Sequence, residues 1–242
     1  MSAAGPKLTT AIVLAGGLGT RLRSEVPDLP KAMAPVGDRP FLQHQLDFWI
    51  DAGIGRVILS VGYRRDVIIN CFGDSYRNVP IEYAVEETPL GTGGGVLLAS
   101  ALLDPDQPFL LLNGDTFFDV SLDALARFHS SKRADLSVAV FHAGEAGRYG
   151  LAELDAENRV HALASIKAGV GDPANGGVYC LAPRILDPWR EPSDRVISFE
   201  NEILPGMLAS GLRLYGMESP GWFIDIGLPA DYRRALETIV RD

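Results

Sequence analysis

Cysteine is scarce in this sequence. Only Cys71 and Cys180 occur among 242 residues, and they form no CxxC or Cys/His spacing. Zinc sites and disulfide frameworks need several such ligands at set spacings, so neither is indicated. The four histidines show no metal-ligand spacing either, and no G-x-S-x-G motif marks a covalent nucleophile. These absences favour a reducing cytoplasm, and both cysteines are expected to be thiols of the core.

Long apolar runs and an excess of basic residues are also absent. No stretch approaches the roughly twenty apolar residues that cross a bilayer, and the N-terminus lacks the apolar core of a signal peptide. The formal net charge of -9 argues against nucleic-acid binding, which needs a basic face. The sequence therefore predicts a soluble cytoplasmic protein with neither membrane nor nucleic-acid partners.

The sequence does contain alternating strand-type and helical segments, and 47% of its residues are apolar, enough for a substantial core. Strands are predicted at residues 11–14, 56–61, 81–85 and 109–112, and helices at 42–50, 65–72, 92–103 and 121–129. This alternation predicts a parallel sheet covered by helices, with Trp49 in the core and Ser121 as an N-cap. Beyond Asp135 strands follow one another, at 136–141, 150–154, 159–164 and 177–181. We therefore predict an α/β fold with a mixed central sheet flanked by helices.

A glycine-rich loop, GGLGTRLRSEVPDLPK, follows the first predicted strand. It combines glycines, a hydroxyl and fixed cations: Gly16, Gly17, Gly19, Thr20, Arg21 and Lys31. Glycines let backbone N–H groups approach an anion closely. The two cations differ in geometry, because the Arg21 guanidinium is a planar group that can bind two oxygens and the Lys31 ammonium is a compact point charge. The spacing matches neither a P-loop nor a dinucleotide fingerprint. The loop predicts a polyphosphate site of another kind.

Two aspartates follow apolar strands further along the chain. Asp115 ends the segment LLLNGD, and Asp225 lies in WFIDIG. Open α/β sheets place their ligand sites at the carboxyl ends of strands, so both positions favour a functional role over a simple turn.

GGLGTRL followed by PK, together with these two aspartate segments, closely resembles the sugar-1-phosphate nucleotidyltransferases. These enzymes couple a nucleoside triphosphate to a sugar phosphate and release pyrophosphate. The resemblance covers essentially the whole chain and implies a Rossmann-like, GT-A-like fold with one catalytic domain over residues 1–242. It implies a nucleotide-binding part up to about residue 135, a sugar-binding part over about 136–242, and a homodimer.

The resemblance also implies roles for the charged residues. Asp115 and Asp225 would hold Mg²⁺, which commonly takes one or two protein carboxylates and fills its shell with water and phosphate oxygens. Arg21 would stabilise the departing pyrophosphate, Lys31 the α-phosphate region, and Lys167 the attacking phosphate. The attacking phosphate is already an oxyanion near neutral pH, so no general base is required. Further nucleotide contacts are expected from Leu14, Ala15, Asn113 and the glycines of the loop.

The segment VEETPLGTGGG matches the part of the family that holds the nucleobase. Glu86 or Glu87 and the backbone around Gly91 are expected to meet the base edge. A carboxylate can accept both N1–H and N2–H of guanine, whereas it would repel the carbonyls of uracil or thymine. The pattern favours GTP, although either glutamate could point away and leave the base to backbone groups.

Other positions match the family's sugar contacts. They are Tyr149, Gly150, Asn175, Gly176, Glu200 and Trp222. Relatives usually carry Glu before the lysine at position 167, and this chain has Ile166. That difference removes a carboxylate that binds sugar hydroxyls, so we expect a larger or differently configured sugar than a common hexose.

Within the family, residues 16–49 and 86–95 most resemble the D-glycero-α-D-manno-heptose 1-phosphate guanylyltransferases, which make GDP-heptose for bacterial capsule, surface-layer or lipopolysaccharide glycans. Mannose 1-phosphate guanylyltransferases and N-acetylmuramate 1-phosphate uridylyltransferases are the alternatives. The partners implied are GTP and a sugar 1-phosphate. A nucleotide-sugar sensor without catalysis is a further alternative, which the retained set of cations and aspartates argues against.

Overall fold

The alternation of strands and helices is present in the computed structural model, which describes residues 7–17, 19–22, 24–190 and 195–239. The strands are β1 (Thr10–Leu14), β2 (Pro35–Val36), β3 (Arg39–Pro40), β4 (Arg56–Val61), β5 (Ser75–Tyr76), β6 (Val79–Val85), β7 (Phe109–Asn113), β8 (Thr116–Phe118), β9 (Leu136–His142), β10 (Gly150–Leu154), β11 (Val160–Lys167), β12 (Pro173–Leu181), β13 (Leu214–Glu218) and β14 (Phe223–Asp225). The helices are α1 (Phe41–Asp51), α2 (Arg65–Phe72), α3 (Gly91–Ser100), α4 (Leu122–Lys132), α5 (Leu204–Ala209) and α6 (Pro229–Thr238). Short 3₁₀ turns cover Thr20–Leu22, Lys31–Met33 and Pro183–Trp189, and a π-helical turn covers Phe199–Ile203.

Within the described residues the main sheet has ten strands. Its order is β11-β10-β12-β7-β1-β4-β6-β5, with β9 paired to β12 and β13 paired to β9. Strands β7, β1, β4 and β6 are parallel, whereas β12 runs antiparallel to both β7 and β9. The mixed central sheet predicted from the sequence is therefore confirmed. The parallel strands bring their carboxyl ends to one edge, which is where such sheets bind ligands.

Helices cover both faces of this sheet. Along β1, Val13 belongs to the core on one face and Ile12 to the core on the other, as the two-residue period of a strand requires. Helix α1 contributes Leu42, Leu46 and Trp49 to the first of these cores. The predicted core position of Trp49 is confirmed, since its side chain is almost fully buried.

A third, smaller core joins the C-terminal helix to the glycine-rich loop. Tyr232 and Ala235 of α6 pack with Leu22 from the loop and with Ile224 from β14. The Tyr232 hydroxyl also donates to the Pro35 carbonyl at 2.5 Å. Residues from the two ends of the chain therefore support the same loop.

Several predicted elements differ from the structure in their bounds. The helix predicted at 92–103 is Gly91–Ser100, and the strand predicted at 177–181 begins at Pro173. Ser121 is the predicted N-cap, and its side chain accepts a hydrogen bond from the Ala124 amide at 3.3 Å. No helix in the described ranges is long and apolar enough to cross a membrane.

The prediction for one cysteine is wrong. Cys180 lies in the core on β12, where burial raises the pKa of its thiol. Cys71 is exposed, because α2 turns Ile68 and Phe72, one helical turn apart, toward the core. The composition of α2 alone did not show which side of the helix Cys71 occupies.

Candidate active site

A cavity of about 420 Å³ opens at the carboxyl edge of the parallel strands. Its lining includes many of the predicted nucleotide-binding positions: Leu14, Ala15, Gly16, Gly17, Glu86, Gly91 and Asn113. Lys31 and Asp115 lie in the same wall. The Asn113 Oδ1 atom is buried and has no hydrogen-bond partner among the described residues. The structure thus gathers these positions, distant in sequence, around one space and leaves an acceptor there.

Of the two adjacent glutamates, only Glu86 lines this cavity. Its carboxylate accepts the Ser60 hydroxyl and the Leu90 amide, both at 3.1 Å. A Cβ at Gly16 would come within 2.6 Å of its Oε1, so glycine leaves room for the carboxylate. Glu87 lies outside the lining of this cavity: its side chain is exposed and pairs with Arg65 at 3.1 Å. The Glu86 amide donates to the Val61 carbonyl at 2.8 Å, so the backbone of Glu86 is held against β4 just beyond the end of β6.

The beginning of α3 forms another wall. Gly91 adopts φ +77°, and a Cβ there would overlap the Ile197 carbonyl oxygen. The Ile197 carbonyl also accepts the Gly93 amide at 2.8 Å. The segment before the π-helical turn is therefore seated directly on the glycine-rich start of α3.

Glu200 lies on this side of the site. It accepts the Thr92 hydroxyl at 2.7 Å and lines the first cavity together with Gly91. The sequence placed Glu200 with the sugar contacts, whereas the structure groups it with the nucleotide-binding positions. Glu200 stands in the first turn of the π-helical segment that Ser198 caps by accepting a hydrogen bond from the Asn201 amide.

Asp115 and Asp225 come together through the small sheet of β8 and β14. In this antiparallel pair Asp225 lies opposite Thr116, and the Ile226 amide donates to the Asp115 carbonyl at 2.9 Å. Lys31 joins both side chains: its Nζ contacts Asp115 Oδ2 and lies 3.6 Å from Asp225 Oδ1. Burial and the nearby Asp115 charge raise the pKa of Asp225 above its ordinary value.

This arrangement fits a divalent cation. Both carboxylates converge on one ammonium group, so the two negative charges of Asp115 and Asp225 face a single positive charge on Lys31. Carboxylate oxygens are the ligands that Mg²⁺ prefers, and one or two of them suffice when phosphate and water complete the shell. In the described residues no cluster of three or more His, Cys, Asp or Glu side chains offers an all-protein metal cage.

The two ends of the glycine-rich loop lie close together, at Gly19 and Lys31. Gly19 has φ +58°, and a Cβ there would lie 3.1 Å from the Lys31 Cβ. Arg21 is exposed in the 3₁₀ turn and does not line the cavity in its described outline. The side chain of Thr20, which was predicted to contact the nucleotide, lies outside the described residues.

The predicted sugar contacts Tyr149 and Trp222 line a second cavity, of about 450 Å³. Its aromatic wall contains Phe141 and Phe223, whose rings stack at 3.8 Å, with Tyr149 edge-on to both. Phe223 and Asp225 belong to the same short strand, so this cavity adjoins the aspartate pair.

The remaining sugar-side predictions lie outside the described lining of both cavities. Gly150 and Lys167 are cross-strand partners of β10 and β11, and Lys167 is exposed, with its Nζ donating to the Arg148 carbonyl at 3.1 Å. Asn175 and Gly176 have contacts within the protein at this end of β12. The Asn175 amide donates to Tyr179 and its oxygen accepts from Gly177, so the side chain closes an irregularity of β12. Gly176 lets the Phe118 ring pack against the strand.

Residues 10–241 match the family model for nucleotidyl transferases. The chain belongs to the nucleotidyl transferase family. It is 39% identical over 225 residues to the D-glycero-alpha-D-manno-heptose 1-phosphate guanylyltransferase of Aneurinibacillus thermoaerophilus, a match covering 93% of this chain and 96% of that enzyme. It is 38% identical over 234 residues to the mannose-1-phosphate guanylyltransferase of Mycobacterium tuberculosis, covering 96% of this chain but 64% of that enzyme.

Solved structures agree with this membership. HddC from Yersinia pseudotuberculosis superposes with a TM-score of 0.82 at 32% identity, over 96% of this chain and 100% of HddC. HddC has also been solved in a complex with GMP-PN, and that structure superposes with a TM-score of 0.81. The resemblance to the sugar-1-phosphate nucleotidyltransferases and the fold it implied are both confirmed.

Some residues of this nucleotidyl transferase site were missed by the sequence analysis. Ser60, Thr92 and Val196 line the first cavity, and His142, Glu145 and Arg234 line the second. Ser60 lies near the carboxyl end of β4, so the strand-end rule applied to Asp115 could have found it. Arg234 lies on α6, at the far end of the chain, and no local pattern marks it.

Proposed function

We propose that this nucleotidyltransferase transfers GMP from GTP to a sugar 1-phosphate and releases pyrophosphate. The preferred acceptor is D-glycero-α-D-manno-heptose 1-phosphate, giving GDP-heptose for a bacterial surface polysaccharide such as capsule or lipopolysaccharide. The observation that carries the proposal is that one cavity is lined both by Glu86 and by the Lys31–Asp115 pair that adjoins Asp225. The guanylyltransferases with 39% and 38% identity support the same reaction class.

Glu86 supports guanine as the base. Its two carboxylate oxygens each accept one hydrogen bond from the protein, from Ser60 and Leu90, and an ionised carboxylate has capacity to accept more. Guanine offers N1–H and N2–H to such a pair of acceptors. A uracil or thymine ring would place a carbonyl oxygen against the carboxylate, and this repulsion disfavours UTP and dTTP.

The chain's own residues account for phosphate positioning. A sugar-phosphate oxygen attacks the α-phosphorus of GTP, the bond from that phosphorus to the β-phosphate oxygen breaks, and pyrophosphate leaves. Lys31, held beside Asp115, contributes positive charge at the α-phosphate, Arg21 at the pyrophosphate and Lys167 at the attacking phosphate. Mg²⁺, held by Asp115 and Asp225, would neutralise phosphate charge in the transition state. Catalysis by positioning and electrostatics needs no protein nucleophile.

The second cavity is the proposed sugar site. Aromatic faces such as those of Tyr149 and Trp222 pack against the C–H faces of a sugar ring, and Glu145 and Arg234 offer polar partners for hydroxyl groups. Ile166, exposed beside Lys167, adds no carboxylate there. This chemistry supports an acceptor that differs from a common hexose.

In this proposal, residues up to about 135 serve mainly the nucleotide and residues 136–242 mainly the sugar, with Glu200 an exception. Because both substrates are cytoplasmic metabolites, we place the enzyme in the cytoplasm.

Mannose 1-phosphate is the second candidate acceptor. The Mycobacterium tuberculosis relative, whose name states that activity, is 38% identical to this chain, nearly as similar as the heptose enzyme. Both reactions use the same nucleotide side of the site, so only the sugar distinguishes them.

A substrate matrix tests the proposed function. The purified protein is incubated with GTP, UTP, CTP, ATP or dTTP and with heptose, mannose, glucose or N-acetylmuramate 1-phosphate, and pyrophosphate release is measured. We expect the highest kcat/KM for GTP with the heptose phosphate. Preference for UTP would refute the role of Glu86, and tight binding of a nucleotide sugar without turnover of any pair would identify a sensor.

Replacing either aspartate tests the metal site. Asp115→Asn or Asp225→Asn removes one carboxylate charge while keeping its volume, so we expect Mg²⁺-dependent pyrophosphate release to fall by about 10²-fold or more, with the thermal midpoint retained. Asp106→Asn is the matched control, because Asp106 is exposed and pairs only with Arg184 in the described structure. Near-normal turnover in both aspartate variants would exclude the assignment.

A further inference from the structure

Four charged side chains of alternating sign form a continuous chain beside the second cavity. Glu145 pairs with Arg148 at 3.0 Å, Arg148 pairs with Asp231, and Asp231 pairs with Arg234 at 3.1 Å. The two ends, Glu145 and Arg234, line the second cavity. The two central members are buried: Asp231 almost completely and Arg148 to 15% side-chain exposure.

Stability alone does not account for this burial. A buried ion pair gains little or nothing over well-packed apolar side chains, because both charges lose their hydration. Asp231 lies in the first turn of α6, where acidic residues are common because they interact favourably with the helix N-terminus. Such a residue gains this interaction while exposed, so the interaction does not require burial. The Asp231 side chain is instead buried and pairs with Arg148, which lies far from it in the sequence.

The buried pair is connected to the sugar side by three contacts. The Arg148 guanidinium lies over the Tyr149 ring at 4.8 Å from its centroid. The Arg148 carbonyl accepts the Lys167 Nζ at 3.1 Å. Arg234, which pairs with the other carboxylate oxygen of Asp231, lines the second cavity. A displacement of the Arg148 guanidinium would therefore disturb the Tyr149 ring and Asp231, and an accompanying shift of its backbone would disturb the Lys167 ammonium group.

We propose that Asp231 is a positioning residue for the sugar 1-phosphate. Held on α6, it fixes Arg148 and Arg234 and so sets the geometry of Tyr149 and Lys167, while Glu145 and Arg234 contact the sugar hydroxyls remote from the phosphate. This inference rests on the proposed function, because it deepens the sugar side of the same site. It assigns sugar recognition to the C-terminal helix, which the motifs of the sequence do not include.

Asp231→Asn tests the proposal against a matched control. Asp135→Asn breaks an Asp–Arg ion pair, with Arg213, that is more exposed than the Asp231–Arg148 pair and lines neither cavity in the described structure. For Asp231→Asn we expect kcat/KM for the sugar 1-phosphate to fall about tenfold while KM for GTP stays unchanged, because the sugar side alone loses its geometry. Asp135→Asn should lower the thermal midpoint but leave both kcat/KM for the sugar 1-phosphate and KM for GTP unchanged. Equal kinetic behaviour of the two variants would overturn the proposal.

A double variant separates positioning from stability. Arg148→Met with Asp231→Leu replaces the buried ion pair by apolar side chains of similar size, and such replacements restore or raise stability. We expect the thermal midpoint to recover while the defect toward the sugar 1-phosphate remains. Recovery of both would mean that the pair is only structural.

Hydrogen exchange gives a readout that does not depend on turnover. Without substrates, backbone amides of residues 144–151 should exchange faster in Asp231→Asn than in the wild type, and at the wild-type rate in Asp135→Asn. Unchanged exchange in Asp231→Asn would overturn the positioning role. If the wild-type protein turns over no sugar 1-phosphate, the proposed function fails, and the exchange result still decides whether Asp231 orders this segment.

Discussion

Glu86 and Glu87 are neighbours of the same residue type with opposite surroundings. Glu86 accepts two hydrogen bonds inside the first cavity, and Glu87 forms an exposed ion pair with Arg65. The sequence indicated that an acidic side chain meets the base but could not choose between the two. The direction in which β6 ends makes the choice, and that direction depends on pairing with β4.

This contrast gives a matched pair of substitutions. Glu86→Gln removes the charge that attracts the guanine N–H groups, and a hydrogen bond to a charged partner contributes about 1.5–3 kcal/mol. We therefore expect KM for GTP to rise about tenfold or more and the preference over UTP to shrink, measured by steady-state pyrophosphate release. Glu87→Gln should leave both quantities unchanged. A larger effect from Glu87→Gln would reverse the assignment.

Two predicted sugar contacts, Asn175 and Glu200, are held by hydrogen bonds of very different range. The Asn175 amide bonds to Gly177 and Tyr179 on its own strand. Glu200 accepts the hydroxyl of Thr92, because the π-helical turn packs on α3. The sequence around Glu200 does not show this contact, since its partner lies far along the chain.

At the scale of elements, the start of α3 is a tightly constrained junction. Gly91 combines a left-handed backbone with direct contact to the Ile197 carbonyl. Glycine meets both requirements because it lacks a Cβ. The junction holds the segment around Val196, which lines the first cavity, against the beginning of the helix.

Gly91→Ala tests this junction. The added Cβ must displace Ile197 in addition to the cost of a left-handed alanine, so we expect the free energy of unfolding to fall by more than the ~1–2 kcal/mol of the backbone cost alone, and KM for GTP to rise. Gly211→Ala is the control, since Gly211 has φ +75° with open space around its Cβ position. It should show the backbone cost without the change in KM. Chemical denaturation and steady-state kinetics measure the two effects, and equal losses in both variants would argue against the contact.

The elements themselves were largely predictable. The bounds of β4, β10 and α2 match the sequence predictions, because each has a run of apolar residues at the period of its structure. The short strands β8 and β14 were not assigned as a pair. They carry few residues each, and their pairing joins segments that no local pattern relates.

At the scale of the whole molecule, one buried histidine makes stability depend on pH. His129 on α4 is buried against Ser137 of β9, with 3.0 Å between Nδ1 and the hydroxyl oxygen. Burial lowers the pKa of His129 to about 4, against the opposing effect of Asp135. The folded protein therefore keeps this ring neutral at pH values where the unfolded chain protonates it.

The sign of the pH effect follows. Between the unfolded value near 6.5 and about 4, the unfolded state binds a proton that the folded state does not, so acidification lowers the free energy of unfolding by up to about 1.4 kcal/mol per pH unit. Above pH 7 the contribution of His129 is constant. His129→Gln keeps a hydrogen-bonding group without this titration, so its thermal midpoint should fall less steeply than that of the wild type from pH 6.5 to pH 4.5. Parallel profiles for the two proteins would contradict the assignment.

The homodimer and the division into nucleotide and sugar parts stay predictions at this scale. The main sheet runs through both parts, since β12 of the second pairs with β7 of the first. Analytical ultracentrifugation at several protein concentrations measures the oligomeric state directly.

The pairing of β8 with β14 also makes the aspartate pair depend on contacts between the two halves of the chain. Lys31, Glu86 and Asp115 all lie in the first half of the chain, whereas Asp225 is supplied by a strand close to its C-terminal helix. Val196 and Glu200, which line the first cavity, also come from the second half of the chain. We therefore expect the close approach of Asp115 and Asp225 to form only when both halves have folded together, which makes it a reporter of complete folding.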